Sequence, residues 1–230
     1  MFKINKARAV LILIAVFPLL FLQDFANHFI AHFTGNITAI TQHWEIAALN
    51  ILFFIAFLIP LSFRRKANWA EYGLVGAFFV SLFIEMYGLP LTLMFTSKYI
   101  FKDAIVVPIK VVTSINLLGV EFGMTIGMLY GGLIMIAGML LILIGWLTLY
   151  KHKGKEIVKT GIYKYSRHPQ YLGFVMVVLG WFVAWPTILT MAFCPILIWK
   201  YWNVGKTEEK EIMEKNIDYK NYSEETPFMI

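Results

Sequence analysis

The residues best placed to do chemistry lie in Lys159-Thr-Gly-Ile-Tyr-Lys-Tyr-Ser-Arg-His-Pro-Gln-Tyr-Leu-Gly173. Arg167 and His168 stand immediately before Pro169, a residue suited to the first turn of a helix. A helix N-terminus offers unpaired N–H groups and the positive end of the macrodipole, so it suits an anion such as a carboxylate. A second polar stretch, Lys206-Thr-Glu-Glu-Lys-Glu211, follows after one long apolar run. If the chain doubles back within that run, Glu208 and Glu209 come near Arg167 and His168. Carboxylates facing a basic loop can hold a sulfonium, an amine or a ribose. The plainer readings are interfacial cations and a solvated acidic helix, which most charge runs are.

Other polar residues are more isolated. Glu85 lies inside an apolar run, in Phe83-Ile-Glu-Met-Tyr-Gly-Leu-Pro90. An ionisable group there must be paired, protonated or turned to a cavity, and Pro90 loosens the backbone nearby. It reads either as a wall of an acceptor tunnel or as a protonated helix–helix contact. His28 and His32 have the i, i+4 spacing that metal sites use, and His43 follows. No carboxylate or cysteine completes a set, so no metal is expected. The single cysteine, Cys194, sits in an apolar run and reads as buried and structural. Asn36 and Asn221 open sequons that match glycosylation acceptors.

The elements that must position these residues follow from composition. Of 230 residues, 59% are hydrophobic and 15% charged, against about 25% charged in an ordinary soluble domain. Mean hydropathy is +0.69. A soluble globule of this size would expose too much apolar surface, so a soluble enzyme, a disordered chain and a fibrous protein are excluded. Nucleic acid is not an expected partner; the bilayer is. A span needs about 20 apolar residues. Candidate runs are Ala9–Gln23, Ile46–Phe63, Tyr72–Ser97, Phe122–Tyr150 and Pro169–Trp199. The first resembles a signal peptide but lacks a small-residue cleavage site, and reads as an uncleaved span. Lys98–Glu121 is mixed, suited to an extramembrane loop or an interfacial helix. Gly127, Gly131, Gly132 and Gly138 suggest close helix contact.

In the last run, Trp185-Pro186 divides a helical hairpin into Leu172–Ala184 and Thr187–Tyr201, with a single kinked helix as the alternative. Six spans place both termini on one side. The N-terminus, Arg64–Lys66 and Lys151–Arg167 then share that side and are basic, while Asp24–Glu45 carries no Lys or Arg. By the positive-inside rule both termini are cytoplasmic. The expected fold is therefore all-α. It is a multi-pass transmembrane bundle of about six spans, the last two a short hairpin, with a C-terminal cytoplasmic amphipathic helix. It forms one membrane domain over 1–230.

The stretch Gly161-Ile-Tyr-x-Tyr-Ser-Arg-His-Pro-x-Tyr-x-Gly173, then a hairpin, Thr-Glu-Glu, Tyr219-x-x-Tyr222 and Pro227, resembles the integral-membrane methyltransferases. These include the isoprenylcysteine carboxyl methyltransferases and the phospholipid methyltransferases, which share an Arg-His-Pro … Glu-Glu signature. The resemblance runs from about Gly145 to the C-terminus. It implies a methyltransferase-like catalytic part over 122–230, after N-terminal spans (1–121) of unassigned role. It further implies S-adenosylmethionine as cofactor and a lipophilic or lipidated acceptor arriving from the bilayer. By the same resemblance His168 and Glu208 or Glu209 contact the cofactor, Tyr171 lines its pocket, and Gly161 and Tyr163 shape the loop. Arg167 and Glu209 help to grip it, and Lys206 orients an anionic acceptor.

Two departures bear on the acceptor. The family commonly has Arg where Lys206 stands, and lysine lacks the planar two-pronged grip on a carboxylate. Glu224-Glu225-Thr226 precede Pro227, where a basic residue is often found. Both weigh against a prenylcysteine carboxylate, and leave a phospholipid amine, a small thiol or another lipophile open. The contrasting class is a non-enzymatic membrane carrier, which should distribute polar residues along several spans; only Glu85 does so. Methyl transfer from a sulfonium needs alignment and exclusion of water more than acid–base machinery, so few catalytic side chains suffice.

Overall fold

The computed structural model describes residues 6–34, 107–117, 120–152, 157–216 and 218–229. They are mostly helical: α1 (Lys6–Leu20), α2 (Leu22–Thr34), α3 (Ile126–Lys151), α4 (Pro169–Ala184), α5 (Ile188–Lys215) and α6 (Asp218–Glu225), with a two-stranded ribbon of β1 (Val111–Leu117) and β2 (Val120–Thr125) before α3. The apolar runs at 46–63 and 72–97, with Glu85 and His43, lie outside the described residues. Among the described residues, α3 alone is long and apolar enough to cross a bilayer, and α1 with α2 qualifies only as a bent pair. The residues form two compact units, and the candidate site belongs wholly to the one that comprises Met1–Ala26, Lys110–Ala184 and Cys194–Ile230.

Two expectations need correction. The run Ala9–Gln23 does not form one straight span: its helix stops at Leu20 and the chain bends by 83°. Pro18 has no N–H to donate, and its own carbonyl takes the Phe21 N–H at 3.2 Å in a tightened last turn. Phe17 and Phe25 then pack on Tyr130 of α3, with centroids 5.1 and 5.6 Å away. The second correction concerns the segment before α3, which is a strand from Val111 onward. Val111, Val112, Thr113, Ile115 and Val120 are β-branched, and their stiff side chains favour a pleated strand. β1 and β2 pair antiparallel, with Ile115 opposite Phe122 and a register shift between Val111 and Thr113. Helix α3 therefore starts at Ile126 rather than Phe122. Thr125 caps it, its hydroxyl accepting the Met128 N–H at 3.2 Å.

Helices α3 and α4 run antiparallel along a seam of small residues. A Cβ on Gly131 would lie 2.4 Å from the Gly180 carbonyl, and one on Gly138 would lie 2.6 Å from the Gly173 carbonyl. Gly145 meets Gln170 and Pro169 in the same way. The seam is as close as two helix backbones can come. Gly132 faces elsewhere, with nothing within 4 Å of its Cβ position. The opposite side of α3 exposes Leu133, Ile136, Leu140, Leu143 and Leu147, an apolar face suited to lipid.

Helix α4 ends at Ala184, and α5 starts at Ile188 beyond Trp185-Pro186, as a hairpin break requires. Thr187 and Thr190 exchange hydrogen bonds across this start, the Thr187 hydroxyl accepting from the Thr190 N–H at 3.3 Å. Helix α5 then runs unbroken to Lys215, so Lys206–Glu211 belongs to the same helix as the hairpin's second arm. α4 and α5 meet through aromatic rings: Phe174 stacks on Tyr201 at 5.2 Å.

Candidate active site

The loop from α3 to α4 is shaped locally. His152 closes α3, its ring nitrogen 2.9 Å from the Thr148 carbonyl. Gly161 has φ +63°, a conformation that L side chains rarely adopt. A single 3-10 turn over Gly161–Lys164 follows, with Tyr163 buried in it. The chain then reaches Arg167 and His168. The His168 carbonyl accepts the Leu172 N–H at 3.0 Å, so His168 is the N-cap residue and Pro169 the first residue of α4.

The last described residues are strapped across this point. Arg167 N–H donates to the Pro227 carbonyl and His168 N–H to the Phe228 carbonyl, each at 3.1 Å. The Tyr222 hydroxyl donates to the Tyr163 carbonyl. An Arg167 guanidinium N–H donates to the Ser223 carbonyl, which lies in α6. Phe228 packs 4.7 Å from the His168 ring and 4.6 Å from Trp202. It fits only because residue 205 is glycine: a Cβ there would lie 2.8 Å from the Phe228 ring.

Helix α5 supplies the acid. Glu209 is 4% exposed, and its Oε1 lies 2.8 Å from Arg167 Nε, 3.3 Å from His168 Nε2 and 3.4 Å from the Tyr219 hydroxyl. The Arg167 contact is an ion pair whose N–H is not aligned on the oxygen. Glu209 Oε2 lies 3.6 Å from Lys206 Nζ. One helical position turns the side chain by about 100°, so Glu208 points elsewhere and accepts the Tyr171 hydroxyl at 2.7 Å. The two glutamates expected near Arg167 and His168 thus divide: Glu209 reaches both, and Glu208 reaches Tyr171.

Lys206 is 45% exposed at its side chain. Its ammonium lies 4.2 Å from the Phe228 ring centroid and 5.6 Å from that of Trp202, within the range of cation–π attraction. Burial holds the His168 imidazole below its ordinary pKa of 6.5, against the opposing pull of Glu209 and Glu208. Burial likewise raises Tyr219, and pushes Tyr222 up to about 12. At neutral pH the cluster therefore holds a neutral imidazole and two protonated phenols around a buried Arg–Glu pair.

All eight predicted site residues fall in this region. Arg167, His168, Lys206 and Glu209 form one cluster, Tyr171 and Glu208 pair beside it, and Gly161 and Tyr163 shape the loop. Sequence reasoning did not single out Ser223 or Phe228, and it quoted Tyr219 and Tyr222 only as part of the motif. The i, i+3 tyrosines on a short acidic helix were the available signal, since both turn inward while Lys220 and Asn221 stay exposed. His28 and His32 lie on α2, the His32 Nδ1 bonded to the His28 carbonyl at 2.8 Å.

The class of protein defined so far is a mostly helical, membrane-type chain with a polar site at the start of one apolar helix. Residues 125–215 match the model of the isoprenylcysteine carboxyl methyltransferase (ICMT) family, so the chain is ICMT-like over that stretch, as the Arg-His-Pro and Glu-Glu residues suggested. It is also 34% identical over 76 residues to the protein-S-isoprenylcysteine O-methyltransferase of Saccharomyces cerevisiae, covering 31% of this chain and 32% of that protein. The chain thus matches about a third of that relative's length. No solved structure matches it.

Proposed function

We propose that this chain is an S-adenosylmethionine-dependent membrane methyltransferase, and that its acceptor is lipidated, with a prenylcysteine carboxylate as the first candidate. The observation that carries the reading is that the ICMT-like stretch holds all eight site residues and that six of them meet around Glu209 and Tyr171, with Gly161 and Tyr163 in the loop that leads there. The yeast relative's name turns the choice of acceptor back toward the prenylcysteine that the lysine at 206 had weighed against.

The residues present suit the cofactor. S-adenosylmethionine supplies an electrophilic methyl group on a sulfonium, and brings an ammonium, a carboxylate, ribose hydroxyls and adenine. Glu208, half-buried, with the buried Tyr171 that bonds to it, suits its cationic or hydroxyl groups. The rings of Trp202 and Phe228 already hold one cation, that of Lys206. The half-exposed Lys206 offers a positive charge to an acceptor carboxylate. Glu209 is a positioning residue: its oxygens are committed to Arg167, His168, Tyr219 and Lys206, and it fixes Arg167 and His168 where the ligand must meet them. In this reading 122–230 is the catalytic part, the spans number about six, and both termini are cytoplasmic.

The test is binding of S-adenosylmethionine and its demethylated product to the detergent-solubilised protein, followed by methyl transfer to a small prenylated cysteine. Wild-type binding that weakens in His168→Ala and Glu208→Ala supports the site. Absence of binding by folded wild-type protein removes the cofactor assignment. Binding without transfer to the prenylated cysteine removes the acceptor and retains the cofactor.

A further inference from the structure

Ser166 stands beside Arg167 and is 4% exposed, yet its hydroxyl has no hydrogen-bond partner among the described residues. A serine in a turn ordinarily bonds to a carbonyl three or four residues back. Here those acceptors are engaged. The Ile162 carbonyl takes both the Tyr165 N–H, at 3.1 Å, and the Ser166 N–H, at 3.3 Å. The Tyr163 carbonyl takes the Tyr222 hydroxyl. The tail that straps the neighbouring residues uses its Pro227 and Phe228 carbonyls on the Arg167 and His168 N–H groups. A buried hydroxyl left unpaired costs free energy, and each such group in a folded chain calls for a partner, a bound ligand among the candidates.

We infer that Ser166 is a ligand-binding residue of this site, donating its hydroxyl to an oxygen of the bound cofactor. This rests on the cofactor reading above and deepens it. The oxygen belongs either to the carboxylate of the cofactor's amino-acid end or to a ribose hydroxyl. In both cases the chemistry is one hydrogen bond from a buried, desolvated donor. Ser166 sits one residue from Arg167 and two from His168, on the loop that presents both to the site. The free protein carries the unpaired donor, and binding relieves it.

This assignment predicts effects of opposite sign. Removing the hydroxyl should leave the ligand-free protein as stable as before or more so, because a buried unpaired group disappears. The same change should weaken cofactor binding by about tenfold. The experiment uses the full detergent-solubilised chain as wild type, Ser166→Ala and Ser166→Cys, the last keeping the volume with a weak donor. Thermal unfolding without ligand and affinity for S-adenosylmethionine and 5′-methylthioadenosine are measured. The latter keeps the ribose and lacks the amino-acid end. Loss of affinity for S-adenosylmethionine alone assigns the carboxylate, and loss for both assigns the ribose. Unchanged affinity in both variants, or a lower unfolding temperature with unchanged affinity, overturns the inference and leaves the cofactor reading standing. Wild-type protein that binds neither compound overturns the cofactor reading, and this inference with it.

Discussion

Where α3 passes α4, backbone meets backbone; where α4 meets α5 the contacts run through long side chains, and the strap over residues 227–228 adds two main-chain hydrogen bonds. The seam is made of Gly131, Gly138, Gly173 and Gly180, and no atom can be added to it without moving a helix. The cluster is made of Arg167, His168, Glu209, Tyr219 and Phe228, whose charges and rings interlock around one carboxylate. The seam sets a distance that van der Waals contact enforces. The cluster sets directions, which charge and hydrogen bonding enforce, and it can be tuned by pH or ligand.

Breaking the cluster at its centre should have the largest effect. Glu209→Ala leaves the buried Arg167 guanidinium unpaired, and removing one partner of a buried pair costs about 3–5 kcal/mol. The expected result is a large drop in unfolding temperature in detergent and no measurable cofactor binding. A mild loss, comparable to a surface pair, would mean that Glu209 is not the hub. Next is the seam. Gly131→Ala forces a methyl against the Gly180 carbonyl and should cost about 1–3 kcal/mol as overpacking. Gly132→Ala one residue on meets nothing and should leave stability unchanged or slightly raised. Equal effects of the two, by thermal unfolding, would contradict the seam.

Tyr222→Phe tests the strap. It removes the bond to the buried Tyr163 carbonyl, a loss of about 1 kcal/mol, read as a small shift in unfolding temperature. The smallest effect is the pH response of His168. Its folded pKa lies below the ordinary 6.5, so the unfolded chain takes up a proton first as pH falls. Stability from this group is fully present above 6.5 and is lost as pH falls from there toward the folded value. Unfolding temperature below that pH should fall less steeply in His168→Gln than in the wild type. Parallel curves would show that the imidazole is not held neutral by its surroundings.

What was legible in the sequence follows the same divide. Glycines recurring in an apolar run announce a seam, and Gly131 and Gly138 lie in it. Of their partners, Gly173 was marked only as the end of the Arg-His-Pro motif and Gly180 not at all, and Gly132 was misjudged because one helical step turns it off the face. The break at Trp185-Pro186 was legible because proline acts on its own backbone. The ribbon at Val111–Thr125 was missed because scattered charge drew attention away from its β-branched residues. At the site, residue type and order brought Arg167, His168 and Glu209 together. The parting of Glu208 from Glu209 was available from helix geometry alone. Phe228 and Ser223 had no signature, because their part is played by main-chain carbonyls and a ring, which many sequences could supply.

The two main-chain bonds from Arg167 and His168 to Pro227 and Phe228 also set a schedule. A ribosome releases Arg167 and His168 well before it has made Phe228. Until then the nascent chain holds a guanidinium and an imidazole with no strap to cover them, even after the Glu209 helix has been made. The seam can zip as soon as α4 emerges; the site closes only once the strap has followed.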